Sequence, residues 1–308
     1  MAEIEQAMPP IRELGAARPD AAFRVVADTA YLWYEPRGEV LLVAFDNLAT
    51  LDEPYPRLPW LHRQARGLGY SLLGVQSHAK DWFRQETAPR LIASLAERGF
   101  FRGFSRVVFT GASMGGFAAL NFAPIVPGAA VLAFSPQSTM SRKIAPFERR
   151  FPWAVRNSDW ERPEFLDAAE AVQKLENAAV LFDPFVPEDK AHAARLAGRG
   201  VQMVRLGHAT HEAVRVVIKS GALELALRDF AETGQLGHRF WQQMRSRRTV
   251  RKWARSLIDA AMQSRHPKLT LGAARVLIDQ DNYLFALKAR DDILSANPGL
   301  DMRKRAAG

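Results

Sequence analysis

The sequence predicts an α/β fold: a mostly parallel sheet of about eight strands with helices on both faces, followed by a small all-helical extension. Three observations carry this. Short apolar runs alternate with helix-period stretches as far as Gly234. Several runs, such as Glu39–Phe45 (EVLLVAF) and Ala129–Phe134 (AAVLAF), are almost wholly apolar, as strands covered on both faces should be. Past Gly234 the strand-like runs stop and only helical patterns continue. The chain divides on this pattern into an N-terminal segment (1–19), an α/β domain (20–233) and a basic helical extension (234–308).

Taken in order, Phe23–Ala27 and Ala30–Glu35 read as two short strands, a candidate hairpin. Glu39–Phe45 is the next strand, Trp60–Gly67 a helix, and Ser71–Ser77 (SLLGVQS) a strand. Thr87–Arg98 has helical spacing, with Thr87 suited to an N-cap. Arg106–Thr110 is a strand, and Phe117–Ala123 has the apolar spacing of a helix start. After Ala129–Phe134, the Pro-, Arg- and Trp-rich stretch from Ser135 to Trp160 has no clear period and reads as a long loop or lid. Helix is predicted for Pro163–Glu176, strand for Ala178–Phe182, helix for Asp189–Ala197, strand for Val201–Leu206 and helix for His211–Phe230. Phe240–Met262 reads as basic helix.

The stretch RVVFTGASMGGFAALNFA, Arg106 to Ala123, combines a strand, a glycine-rich turn and a helix start. Its centre, Gly111-Ala112-Ser113-Met114-Gly115, is the G-x-S-x-G of a nucleophile elbow in the required context. The strained turn lifts the Ser113 hydroxyl clear of the sheet edge, and the small flanking residues leave room for strand and helix to meet. The helix then aims its amino end at the serine, offering the Met114 N–H to an oxyanion. The alternative is a glycine-rich turn without chemistry.

A serine hydroxyl needs a base, and the base an orienting acid. In sheets with such an elbow, the acid and then the histidine follow the serine along the chain. Asp183 closes the strand Ala178–Phe182 in LFDPFVPED and is the preferred acid. Asp189, in the same loop, is its rival but also suits an N-cap. VRLGHATHEAVRVV offers two bases: His211, about five residues past the strand and favoured, and His208. His62, His78, His192, His238 and His266 read as surface or packing residues. The second oxyanion donor is expected from Asp46–Leu48, with Asn47 the candidate, and an acid beside that hole must be paired or turned away. In SHAKDWFRQ, after the strand Ser71–Ser77, Lys80, Trp82 and Arg84 are candidates to line a polar or sugar-like pocket. SPQSTMSRK (Ser135–Lys143) is similarly placed.

Composition narrows the classes. The chain of 308 residues has no cysteine, so disulfides and thiolate metal sites are excluded. No clustered ligand motif and no G-x-G-x-x-G after a strand is present, so no metal or organic cofactor is expected. The acidic N-terminus lacks an apolar h-region and no apolar run approaches ~18 residues, so a soluble cytoplasmic protein is expected. The net charge of +9 resides entirely in residues 238–308, where 15 Lys and Arg face 6 Asp. That tail suits an acidic partner, a nucleic acid or an anionic surface; a solvated helical face is the plainer reading, since no aromatic stacking motif accompanies the charge.

The strand–GASMGG–helix, the DPFVP loop and the late histidine together resemble the α/β-hydrolase superfamily over roughly residues 20–232. More narrowly, they are similar to bacterial hydrolase-fold proteins with a GASMGG elbow and a helical tail, and distantly to hydrolase-like proteins of glycan modification and accessory secretion. No H-G-G-G motif is present, which departs from lipases and common esterases. Leu271–Gly299, within residues 264–298 and just beyond, resembles a single tetratricopeptide repeat through Tyr283, Ala286 and Asn297-Pro298, and departs from it at Ile293. The resemblance implies a serine hydrolase with a Ser113, His211 and Asp183 triad acting on a small-molecule or glycan-linked acyl ester. Two alternatives stand beside it: an acyltransferase with the same triad, and a silent scaffold that meets a protein partner through residues 238–308.

Overall fold

A computed structural model describes residues 8–281 and 283–300, so Met1–Ala7, Asn282 and Asp301–Gly308 of the segments named above lie outside the described residues. Eight strands form one sheet: β1 Phe23–Val26, β2 Ala30–Glu35, β3 Val40–Phe45, β4 Ser71–Ser77, β5 Arg106–Ala112, β6 Ala130–Phe134, β7 Ala178–Phe182 and β8 Val201–Arg205. Their spatial order is β1-β2-β4-β3-β5-β6-β7-β8. β2 runs antiparallel to both its neighbours, and every pair from β4 to β8 is parallel. This is the α/β-hydrolase fold.

The helices are α1 His62–Leu68, α2 Thr87–Glu97, α3 Met114–Phe122, α4 Pro152–Arg156, α5 Ala168–Ala171, α6 Pro187–Leu196, α7 Ala213–Lys219 and α8 Leu223–Thr233. The extension adds α9 His238–Gln243, α10 Arg251–Gln263, α11 Pro267–Asp281 and α12 Leu284–Ala296. Successive strand residues face opposite layers, which is why the central strands are apolar throughout. Val43, Phe109, Val131 and Val180 pack with Ile92 of α2, Phe117 of α3 and Leu196 of α6. Their neighbours Leu42, Val108, Leu132 and Leu181 pack with Ala65 of α1, Val216 of α7 and Phe230 of α8.

Several sequence expectations shift by identifiable local chemistry. Thr87 is the first residue of α2 rather than its cap, and its hydroxyl bonds that of Thr29 at 2.7 Å. The helix expected over Pro163–Glu176 shrinks to α5, because the Asp167 carboxylate caps Ala169 N–H (3.0 Å) and starts the helix there. The helix expected from His211 to Phe230 breaks in two at Gly221, whose φ of +73° suits glycine. The basic helix of the tail is likewise interrupted between Met244 and Val250. In the candidate lid, Ser135 and Gln137–Ser141 are buried. That half of the segment is an inner wall of the molecule.

The basic helices share the apolar layer of the sheet's second face. Trp253, Ile258, Ala274, Leu277, Tyr283 and Ala286 belong to the same cluster as Val216 and Phe230. Tyr283 Oη donates to Thr249 O (2.7 Å), and Trp253 Nε1 donates to Gly207 O (2.8 Å). Among the described residues, no helix is long and apolar enough to cross a membrane.

Because Leu277 is 1 % exposed in this shared layer, Leu277→Ala is expected to cost about 2–4 kcal/mol of stability. Urea unfolding followed by tryptophan fluorescence and by far-UV circular dichroism should still give coincident transitions. A separate early transition of the tail would show that the layer does not couple the two parts.

Candidate active site

Ser113 stands between β5 and α3 with φ 52° and ψ −114°, a conformation that non-glycine residues rarely adopt. The surrounding glycines make it attainable. A Cβ on Gly111 would lie 2.1 Å from Gly115 O, and one on Gly115 would lie 2.5 Å from Asp46 O. Both obstacles are backbone, so neither can swing aside. Ser113 N–H is held by Phe134 O at 2.9 Å, which ties the turn to the neighbouring strand.

From this turn the Ser113 hydroxyl reaches His211 Nε2 at 3.0 Å. His211 Nδ1 in turn meets the carboxylate of Asp189, at 2.8 Å to Oδ1 and 3.0 Å to Oδ2. Serine, imidazole and carboxylate therefore form one relay. Asp189 is 1 % exposed and His211 27 %, so the carboxylate is screened while the imidazole opens to the cavity.

Asp183, the acid preferred from sequence, is not in that relay. Its Oδ1 accepts from Phe185 N–H (2.9 Å) and its Oδ2 from Thr210 N–H (2.7 Å). Both oxygens are spent on backbone, and the bond to Thr210 fastens the loop that presents His211. The sequence does hold a signal that Asp189 is no N-cap. Pro187 occupies the first turn of α6 after Val186, so Asp189 lies inside the helix and its side chain is free of capping duty. His208 packs instead of reaching Ser113. Its ring lies 4.8 Å from that of Phe185 and 5.9 Å from that of Trp253, and burial lowers its pKa.

The loop after β3 also departs from expectation. Asn47 N–H donates to Thr50 Oγ1 at 2.9 Å, so the expected donor is already committed. Leu48 N–H has no acceptor among the described residues and lies in the same small loop. Met114, the first residue of α3, has no intrahelical acceptor for its N–H. The acid beside this loop is paired: Asp46 Oδ2 accepts from Arg57 (2.7 Å) and from Ser77 N–H (3.0 Å).

Lys80 stands apart from the site, paired with Asp52 at 2.6 Å. Trp82 is wholly buried and donates from Nε1 to Gln137 Oε1 (3.0 Å), so it lines no open pocket. Arg84 is also buried, bonding the carbonyls of Asp159, Arg162 and Glu164 at 2.6–2.8 Å. Trp82 and Arg84 brace the 135–165 segment. A cavity of about 210 Å³ opens at Ser113 and His211, with Leu48, Ala112, Phe151 and Val214 on its walls and Glu212 and Arg215 among its lining.

Two further residues close to the relay, Arg150 and Glu148, carried no signal in the sequence, and a third, Gln137, lies in the Ser135–Lys143 stretch already placed at the same edge. Gln137 Nε2 lies 3.1 Å from Ser113 Oγ. Arg150 donates to Asp189 (2.8 Å) and, through a forked contact, to Glu148. Glu148 then meets His192 Nε2 at 3.1 Å, and His192 Nδ1 accepts from Ser138 N–H at 3.0 Å. A backbone N–H can only donate, so His192 is neutral with its proton on Nε2. No local motif announces this chain, because its members come from two segments that meet only in the folded protein.

No family model matches the sequence, and no curated protein does either. Among solved structures, the chain is similar to the capsule O-acetyltransferase of Neisseria meningitidis serogroup A, at 11 % identity, 64 % of this chain, 92 % of that one and a TM-score of 0.42. It is similar to Est1E from Butyrivibrio proteoclasticus at 13 % identity, 66 % and 98 % coverage and a TM-score of 0.43. The Pyrococcus furiosus esterase Pf2001 gives 14 %, 74 %, 100 % and 0.45. Likeness at this level is one of general shape.

The buried chain makes stability pH-dependent. Burial pushes the His192 pKa below its ordinary 6.5, with Glu148 opposing. Burial would raise Glu148, but bonds from His192 and Arg150 prevail and hold it at about 2, against 4.5. Both groups bind protons more readily unfolded than folded, so each contributes stability that is lost as pH falls: His192 from 6.5 downward, Glu148 from 4.5 towards 2. Urea midpoints measured from pH 8 to pH 5 should fall, and fall less steeply in His192→Gln. Equal slopes in the two proteins would contradict a neutral buried imidazole.

Proposed function

We propose that this protein is a serine hydrolase that cleaves small acyl esters through Ser113, His211 and Asp189. The observation that supports this best is the unbroken relay, 3.0 Å from Ser113 to His211 and 2.8 Å from His211 to Asp189, set on a strained elbow. Ser113 gives its proton to His211 Nε2 as Oγ bonds the carbonyl carbon. Asp189 holds the imidazole by its Nδ1 proton and balances the positive charge that forms on the ring. The carbonyl oxygen, now negative, accepts from the N–H groups of Met114 and Leu48. Collapse of this intermediate breaks the ester C–O bond, and His211 passes its proton to the leaving alcohol. Water, activated by His211, then attacks the acyl carbon, and the proton returns to Ser113 as the acid departs.

The size and lining of the cavity suggest the substrate class. About 210 Å³ walled by Leu48, Ala112, Phe151 and Val214 suits a short acyl chain. Glu212 and Arg215 at the same cavity favour a polar alcohol, such as a sugar, on the other side of the scissile bond.

Labelling with a fluorophosphonate tests the nucleophile. The wild type should react, Ser113→Ala should not, and His211→Ala and Asp189→Asn should react roughly 10³-fold more slowly or worse. His208→Ala should stay within a few-fold of wild type. With p-nitrophenyl esters, acetate should be turned over faster than octanoate. A folded wild type that stays unlabelled beside a reactive control hydrolase would remove the proposal.

A further inference from the structure

We propose that Gln137, held by Trp82, is a further catalytic residue that aims the Ser113 proton at His211. The inference rests on the reading of Ser113 as nucleophile. An indole N–H can only donate, so the Gln137 atom 3.0 Å from Trp82 Nε1 is the amide oxygen. That fixes which way the amide faces: Nε2 points at Ser113 Oγ, 3.1 Å away, and donates to it. Oε1 is left 3.4 Å from the same hydroxyl, too long to compete well with His211 Nε2 at 3.0 Å.

A serine hydroxyl has one proton and two lone pairs. With a donor occupying a lone pair, its proton has one good acceptor, the imidazole. The flipped amide would do the reverse. Its oxygen would take the Ser113 proton, and His211 would lose its hydrogen bond to the nucleophile. The same N–H also steadies negative charge on Oγ as the proton leaves, which a water molecule held less firmly would do less well.

The setting is built to hold that one orientation. Gln137 and Trp82 are both wholly buried. Trp82 takes a left-handed φ of 55°, and Ser135, which opens the turn that carries Gln137, takes 43°. The Trp82 ring packs 5.2 Å from Phe151 and 5.8 Å from Trp153, so the indole cannot swing away without unpacking that wall.

The test measures second-order rates of fluorophosphonate labelling from pH 6 to pH 9 in the full-length protein. Four variants are compared with wild type: Gln137→Met, Gln137→Glu, Trp82→Phe and Trp82→Phe/Gln137→Met. Gln137→Met, similar in size without the donor, should label about ten-fold more slowly. Gln137→Glu, which accepts the serine proton and adds a negative charge beside Oγ, should lose about a hundred-fold or more. Trp82→Phe should slow labelling in the wild-type background and leave Gln137→Met unchanged, because the indole acts through the amide. Labelling of Gln137→Met at the wild-type rate, or an equal Trp82→Phe loss in both backgrounds, overturns the proposal while the nucleophile stands. A wild type that never labels overturns the nucleophile itself. Thermal melts accompany each variant, and if Gln137→Glu does not fold, Gln137→Met and the double-variant cycle decide.

Discussion

The backbone at Ser113 holds the site together. A serine at φ 52° and ψ −114° stores strain, and it persists only where its surroundings leave no alternative. Gly111 and Gly115 let β5 and α3 approach until a single added carbon would strike backbone. The bond from Ser113 N–H to Phe134 O closes the turn from the other side. The sheet supplies the energy for this arrangement, since β3, β5 and β6 are buried on both faces and cannot shift without opening two apolar layers.

Around that turn the molecule places buried charge in a connected way. Asp189 faces both His211 and Arg150, and Arg150 is shared with Glu148. Two carboxylates and one guanidinium leave a single negative charge against the imidazole, while His192 closes the chain as a neutral group. Each member would be costly to bury alone, and the network is tolerable because its charges are paired. Asp46 follows the same rule beside the loop after β3, where Arg57 balances its buried carboxylate.

The basic extension is bound to this architecture by packing. Its helices complete the apolar layer over α7 and α8, and Trp253 grips the backbone at Gly207, directly before the loop of His208 and His211. Two hairpin helices could not bury their own apolar faces, and the sheet's second layer provides the missing surface. The cations that give the tail its charge lie mostly outward, with Lys252 and Arg255 paired to Glu212 and Asp259.

Reading order, strand count and the elbow were legible in the sequence, because they follow from local periodicity and from glycines whose spacing has one steric meaning. The approach of His211 to Ser113 was legible from its place after the last strand. The partner of His211 was not. Asp183 and Asp189 stand six residues apart, the first just past β7 and the second in the first turn of α6, and which carboxylate meets the imidazole depends on how that helix leans on β7. The Asn47 N–H turned elsewhere for a similar reason: a hydroxyl three residues on, Thr50 Oγ1, captured it. Trp82 and Gln137 lie 55 positions apart, and Arg150 and Asp189 lie 39 apart; no window of sequence joins them. Short-range sterics and apolar burial impose the layers, the turn at Ser113 and the place of His211 after β8, so the amino-acid order carries them. Which carboxylate meets His211, where the Asn47 N–H goes and what holds Gln137 against Ser113 follow only from the folded chain, because hydrogen-bond partners are chosen by distance in space.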